Sequence, residues 1–369
     1  MIHTIELICD ITLDELEDIS NQLNFTQEEL FRLFDNLHFQ TVHRSHHFNS
    51  HNPETGIKDF FVFRRDDNSM PSPSYYVIIR IEPLVMINQE LSVDLFYSSP
   101  HNVQLLQDAF HDIMTYYLPT QGRLAHLNNW KCRRIDYSIN FHFDNSRDKD
   151  LFLELTRKTS RYVRKKQKRI SSLKINQQST AEGNYSVKVI FYDKQKQIED
   201  VYTNIPTRQQ QSLLQEANNI VRFEVQCLKG RVLTLQRKYH FPNRSILYFL
   251  NESISHDILI EEYSKSVGVA DFYSFYWADK KIKKSNFSSP KKKHLVQLLQ
   301  LIAQARHLSI AKEQFIHGTR IRRTNIIVQG SENTFRNYLR DLSTLGIHPM
   351  LIPKERRVTH FTNPVHQLL

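Results

Sequence analysis

An α+β fold with an antiparallel-rich sheet and helices on one face is what the sequence predicts, and three observations carry it. Stretches such as WKCRRIDYSINFHF, VKVIFYDK and VRFEVQC alternate apolar and polar residues at the two-residue period of a strand with one covered face. Segments of helical apolar spacing, such as VQLLQDAFHDIMTYYL, lie between them. Strands separated by helices could also build a parallel βαβ sheet, but doubly covered parallel strands read as continuous apolar runs, so the alternation suits an open face better.

Taken in order, residues 1–57 read as a small helical lead-in. TLDELEDISNQL and TQEELFRLFDNL each open on a Thr cap followed by acids. Residues 58–280 form the main domain, with strands at KDFFVFRR and YYVIIRIEPLVM, the helix and long strand already quoted, and a basic helix around 148–170. The VKVIFYDK strand, a polar helix near 207–217, NIVRFEVQCL and a helical, aromatic-rich stretch complete it. Seven lysines with serines and a proline between 280 and 293 suggest a linker over 281–293. Residues 294–369 then form a compact C-terminal module.

The chain has 369 residues, enough for more than one domain, since single cores stop growing at about 250 to 300 residues. It is 40% hydrophobic and 24% charged, and no apolar run approaches the roughly 18 residues of a membrane span. The acidic start MIHTIELICDITLDELEDIS lacks a signal-peptide pattern, so a cytoplasmic protein with no membrane partner is expected. Three cysteines without a CxxC pair argue against a disulfide framework and against a cysteine zinc site. A net charge of +10 points to an anionic partner, nucleic acid first.

Splitting the strands by face sharpens this. In RRIDYSINFHF, Ile135, Tyr137, Ile139, Phe141 and Phe143 share one face, and Asp136, Ser138, Asn140 and His142 the other. In VRFEVQC, Arg222, Glu224 and Gln226 oppose Val221, Phe223, Val225 and Cys227; in VKVIFYDK, Tyr192 and Lys194 share the side away from Asp193. Asp and Asn are disfavoured inside strands, so Asp136 and Asn140, with Glu224 and Gln226, make a candidate oxygen-ligand set for Mg2+ or Mn2+. A solvated sheet face would explain the same alternation without chemistry. Glu82 and His142 are reserve ligands, and His43, His46 and His47 are a further histidine cluster. Tyr116, Tyr117 and the 272–277 stretch FYSFYW read as packing.

RRIDYSINFHFD, VIFYDKQKQ and VRFEVQCLKG, in this order and spacing, resemble the three motifs of the staphylococcal-type rolling-circle plasmid replication initiators. Related phage initiators and conjugative-transposon relaxases belong to the same family. The resemblance covers roughly residues 60–260 and implies an HUH/Rep-like nicking and joining core. It makes Tyr192 the nucleophile, Asp136 and Glu224 holders of a divalent ion, and Lys194 an assisting group. Two positions depart from the family pattern: Gln226 and Asn140 stand where acids are common, leaving amide oxygens without charge.

A tyrosine suits an enzyme that must keep the energy of the broken bond, because the phosphotyrosine can be attacked again by a DNA 3′-hydroxyl. An ordinary phenol of pKa about 10 is only ~10⁻³ ionised at pH 7, a deficit of roughly 4 kcal/mol. A nearby cation would offset it. DNA contacts are expected from RKTSRYVRKKQKR, which carries Arg157, Arg161, Arg164, Lys165 and Lys168 among its cations. In GSENTFRNYLRDLSTLGIHP, Ser331 caps a helix that Gly346 ends, and its outer face presents Asn333, Arg336, Asn337 and Arg340. With HLVQLLQLIAQARHL before it and MLIPKERRVTHF after it as a basic wing, the module resembles a winged helix-turn-helix. The expected partners are double-stranded origin DNA and single-stranded DNA, with a host helicase and a homodimer as further implications. A conjugative relaxase and a non-catalytic DNA-binding regulator remain the alternatives.

Overall fold

The computed structural model describes residues 1–22, 43–46, 55–65, 74–118, 122–159, 179–183, 186–201 and 207–368. Its centre is an eight-stranded sheet of Ile2–Ile11 (β1), His43–His46 (β2), Ile57–Arg65 (β3), Ser74–Ile81 (β4), Lys131–His142 (β5), Ser179–Gly183 (β6), Val187–Asp193 (β7) and Ile220–Cys227 (β8). The order is β2-β3-β4-β1-β5-β8-β7-β6 and each pairing is antiparallel. The expected α+β class and antiparallel sheet are therefore found. The lead-in is not: β1 lies inside the sheet between β4 and β5, and only the helix Leu13–Gln22 fits the reading of residues 1–57. TQEELFRLFDNL lies outside the described residues.

The apolar face builds the core. Phe141, Phe223 and Phe191 stack across β5, β8 and β7, while Phe152 on the helix Ser146–Thr159 and Tyr263 on the helix Glu252–Ser266 meet them edge-on. The opposite face was expected to be open. Instead its β8 end is covered by the short helices Lys194–Val201 and Thr207–Glu216, whose Ile198 and Leu213, with Ala217 in the turn that follows, join Val93 and Ile220 in a second small cluster.

The lysine-rich run is not a linker. Helix Phe275–Lys284 ends at its last lysine, and helix Ser289–Ala305 begins at once with Pro290 in its first turn. Ala278, Ile282, Leu295 and Leu298 are fully buried along these helices, so the lysines occupy outer faces of ordered elements. The C-terminal residues share the main core. Phe361 packs against Phe143 and Phe152, and the Tyr263 hydroxyl donates to Asn363 Oδ1 at 2.6 Å.

Helix Glu332–Thr344 matches its sequence reading in detail. Ser331 Oγ accepts from the Thr334 amide at 3.1 Å. At the other end Gly346, with φ of 65°, donates to Ser343 O and Ile347 donates to Leu342 O, the paired bonds of a Schellman stop. A two-residue hairpin, Thr319–Arg320 with Ile327–Val328, separates this helix from Leu308–His317. The expected wing is anchored: His360–Phe361 pairs with Phe272–Tyr273, and Arg356 holds Glu154 through two bonds of 2.9 and 2.6 Å.

Asp193 explains why β7 turns into a helix. Its Oδ1 accepts from the Gln195 and Lys196 amides, capping Lys194–Val201, while Oδ2 pairs with Lys149 at 2.8 Å in a buried site. Lys149→Met leaves that carboxylate unpaired and is expected to cost about 3 kcal/mol in urea unfolding, part of it recovered by adding Asp193→Asn. A loss under about 1 kcal/mol would show that the pair does not matter.

Candidate functional site

Three register shifts shape the polar face. Between β1 and β5 the pairing jumps from Ile2↔Tyr137 to Thr4↔Asp136, leaving His3 as an extra residue. Further along, Glu6↔Arg134 is followed by Leu7↔Cys132, so Arg133 is extra on β5. Between β3 and β4, Ile57↔Ile81 is followed by Asp59↔Arg80, so Lys58 is extra. A bulge breaks the strict alternation of faces and re-aims the side chain beside it. Each of these three basic residues is thereby brought to carboxylates on one face. Gly56, at φ of 62°, opens β3 where a Cβ would sit 2.5 Å from the Met86 backbone nitrogen, and this close approach keeps Lys58 beside Glu82.

The bonds run from strand to strand. Lys58 Nζ pairs with Glu82 Oε1 at 2.6 Å, and the same oxygen lies 3.2 Å from His3 Nε2. The other ring nitrogen of His3 is 3.3 Å from Glu224 Oε2. The Tyr192 hydroxyl donates to that oxygen at 3.3 Å, and Gln226 Nε2 donates to Glu224 Oε1 at 2.6 Å. One strand away Arg134 grips Asp136 with bonds of 2.8 and 2.6 Å. Arg80 bridges Asp59 and Glu6, and Arg133 pairs with Glu6 as well.

Two carboxylates in this network part company on protonation. Burial and the charge of Glu224 push the Asp136 carboxyl up to about 6, against the pull of Arg134. Burial also pushes on Glu224, but His3 and the Gln226 amide outweigh it and hold that carboxyl at about 2. Glu82 is held well below the usual carboxylate range, since Lys58 and His3 overcome its burial. Asp136 is therefore the first of the two acids to take up a proton as pH falls, while Glu224 stays ionised beside the phenol.

The sequence-selected residues meet different fates. Tyr192, Glu224, Gln226 and Asp136 do come together, from β7, β8 and β5. Lys194 is the first residue of the capped helix, not a strand residue; its amine donates to Gln197 Oε1 at 2.8 Å, and it lines one cleft with His3 and Glu82. Burial, then the charge of Arg222, lowers its pKa well below the usual range, so it is not a dependable cation for the phenol. Asn140 accepts from Arg222 Nε at 2.9 Å and donates to Val93 O, a packing role. Glu82 belongs to the network, whereas His142 sits exposed at the end of β5. The side chains of His43, His46 and His47 lie outside the described residues, as do Arg161, Arg164, Lys165 and Lys168. Arg157 donates to Leu153 O at 3.2 Å. Arg336, Asn337 and Arg340 are exposed on their helix, as read from the sequence.

As arranged, the oxygens of these residues are engaged by protein groups. Both Asp136 oxygens accept from Arg134, Gln226 turns its amide nitrogen to Glu224, and Glu224 Oε2 already faces Tyr192 and His3. Among the described residues no group of three or more His, Cys, Asp or Glu side chains is placed to hold a metal ion. His3 and Lys58 were missed by sequence reasoning, which had no local signal for a bulge. No protein-family model, curated protein or solved structure matches the chain.

The raised Asp136 carboxyl fixes a pH dependence. Between its ordinary value of 3.8 and about 6 the folded chain holds a proton that the unfolded chain has released, so this group lowers stability as pH rises through that window. Asp136→Asn is expected to gain on the parent by up to about 3 kcal/mol from pH 4 to pH 7 in urea unfolding. An unchanged difference across that range would refute the assignment.

Proposed function

We propose that this chain nicks and rejoins one DNA strand with Tyr192 as nucleophile, as a rolling-circle replication initiator does. The observation that carries the proposal is the 3.3 Å bond from the Tyr192 hydroxyl to the Glu224 carboxylate. In the proposed step the phenol oxygen attacks a DNA phosphorus, forming the O–P bond and breaking the bond to the 3′ oxygen. The phenol proton is relayed through Glu224 to water, and the 3′ oxygen takes a proton from water. Attack by a 3′-hydroxyl on the phosphotyrosine runs the same step backwards and rejoins the strand. His3, between Glu224 and Glu82, positions the accepting carboxylate.

No step of this chemistry is drawn through a metal. A requirement for Mg2+ or Mn2+ at Asp136 and Glu224 would need Arg134 to release Asp136. The HUH/Rep-like core and the winged helix-turn-helix belong to the same proposal, with origin duplex and single strands as partners. Support for a nucleic-acid partner comes from the net charge of +10 and from the exposed Arg336, Asn337 and Arg340. No helix among the described residues is long and apolar enough to cross a membrane.

A second reading has its own observation. Tyr192 is only 8% exposed, which leaves a phosphate little access to its hydroxyl. In a DNA-binding regulator that side chain would simply pack. Incubation with a labelled single-stranded origin oligonucleotide, with and without Mn2+, separates the two. The nicking proposal expects an adduct that survives denaturation and disappears in Tyr192→Phe, while DNA binding persists. Binding with no adduct from the parent chain favours the regulator.

Arg336→Ala together with Arg340→Ala is expected to weaken duplex binding and to reduce the slope of log affinity against log salt by about 1.8, at roughly 0.9 for each phosphate that is no longer neutralised. An unchanged slope would remove this helix from the interface.

A further inference from the structure

Helix Phe275–Lys284 has two opposed faces. Ala278 and Ile282, four residues apart, are fully buried against the protein. The opposite stripe carries Tyr276, Lys280 and Lys284 at spacings of four, flanked by Trp277 and Lys283. Tyr276 is 66% and Trp277 41% exposed, with ring centroids 5.6 Å apart and edge-to-face. Lys280 Nζ lies 4.7 Å from the Trp277 ring. Lys283 is paired with Asp279, whereas among the described residues Lys280 and Lys284 have no carboxylate partner. The sequence alone read this stretch as packing and the lysines as linker; neither description fits two bare rings beside unpaired cations.

We propose that this face is a binding platform for single-stranded DNA, on which bases stack against Tyr276 and Trp277 while Lys280 and Lys284 take the adjoining phosphates. Every base has a π-face and every nucleotide a phosphate, so a ring followed by cations matches an unpaired strand whatever its sequence. Eight helical steps from Tyr276 to Lys284 span about 12 Å, room for roughly three nucleotides at about 3.4 Å each. Bases in duplex DNA are stacked on one another and cannot reach the rings. An anionic lipid surface shares the phosphate chemistry and is the competing ligand; the aliphatic residues of this helix face inward, so the apolar groups it exposes are the rings of Phe275, Tyr276 and Trp277. The platform stands apart from the nicking chemistry and does not depend on it.

Fluorescence tests it directly, because the chain has two tryptophans and the other, Trp130, is fully buried. Titrating the full chain with oligo(dT) is expected to quench Trp277 saturably. Tyr276→Ala is expected to weaken oligo(dT) binding about tenfold by anisotropy of a labelled strand. Lys280→Gln with Lys284→Gln is expected to lower the salt slope by about 1.4, at roughly 0.7 per cation on a single strand. Tyr192→Phe leaves all three readings unchanged, so failure of the nicking proposal and failure of the platform are told apart. The platform is overturned if saturating oligo(dT) leaves Trp277 emission unaltered, if Tyr276→Ala binds as tightly as the parent, or if duplex DNA or phosphatidylserine vesicles quench as well as the single strand.

Discussion

Carboxylates from four neighbouring segments of one sheet face, Glu6, Glu82, Asp136 and Glu224, are buried together, and the fold tolerates this because basic side chains reach each of them. Buried charge without a partner costs several kcal/mol, so the pairs Lys58–Glu82, His3–Glu224, Arg134–Asp136 and Arg80–Glu6 are conditions for the sheet to form in this register. All four of these basic residues lie at a bulge or beside one. The register shifts and the charge network are therefore one feature.

That coupling also explains the unequal carboxylates. Glu224 is served by His3 and Gln226, and Asp136 by one arginine in a fully buried position, so the two acids differ although they sit on adjacent strands. Two carboxyls of the same chemistry on adjacent strands are thus given unequal proton affinities by environment alone. The same bonds that arrange the pair also occupy the oxygens a metal would need. In the proposed chemistry the network serves first as structure and then as machinery, and the burial of Tyr192 is the tension between these uses.

Elsewhere the chain carries its charge outward. Along helices Phe275–Lys284 and Ser289–Ala305 the lysines stand on faces whose opposite sides are sealed into the core by Ile282 and Leu295. On Glu332–Thr344 the arginines and asparagines do the same opposite Phe335 and Leu342. Two kinds of cation result: those spent inside the sheet on carboxylates, and those displayed on helices anchored by aliphatic residues.

Local pattern sufficed for much of this. The strand character of 131–142, 187–193 and 220–227, the faces within them, the Ser331 cap and the Gly346 stop all follow from spacing and residue chemistry along one short stretch. The polar-side positions of Glu224 and Asp136, and the side of its strand on which Tyr192 lies, were legible in the same way, whereas the pairing of their three strands was not. Tertiary structure alone decided the rest. That Ile2–Ile11 is an inner strand, that Lys194 starts a helix instead of extending a face, and that His3, Lys58 and Arg133 turn to the carboxylates depend on the register of a neighbouring strand. A bulge is a mismatch between two strands, and no single strand's sequence contains it.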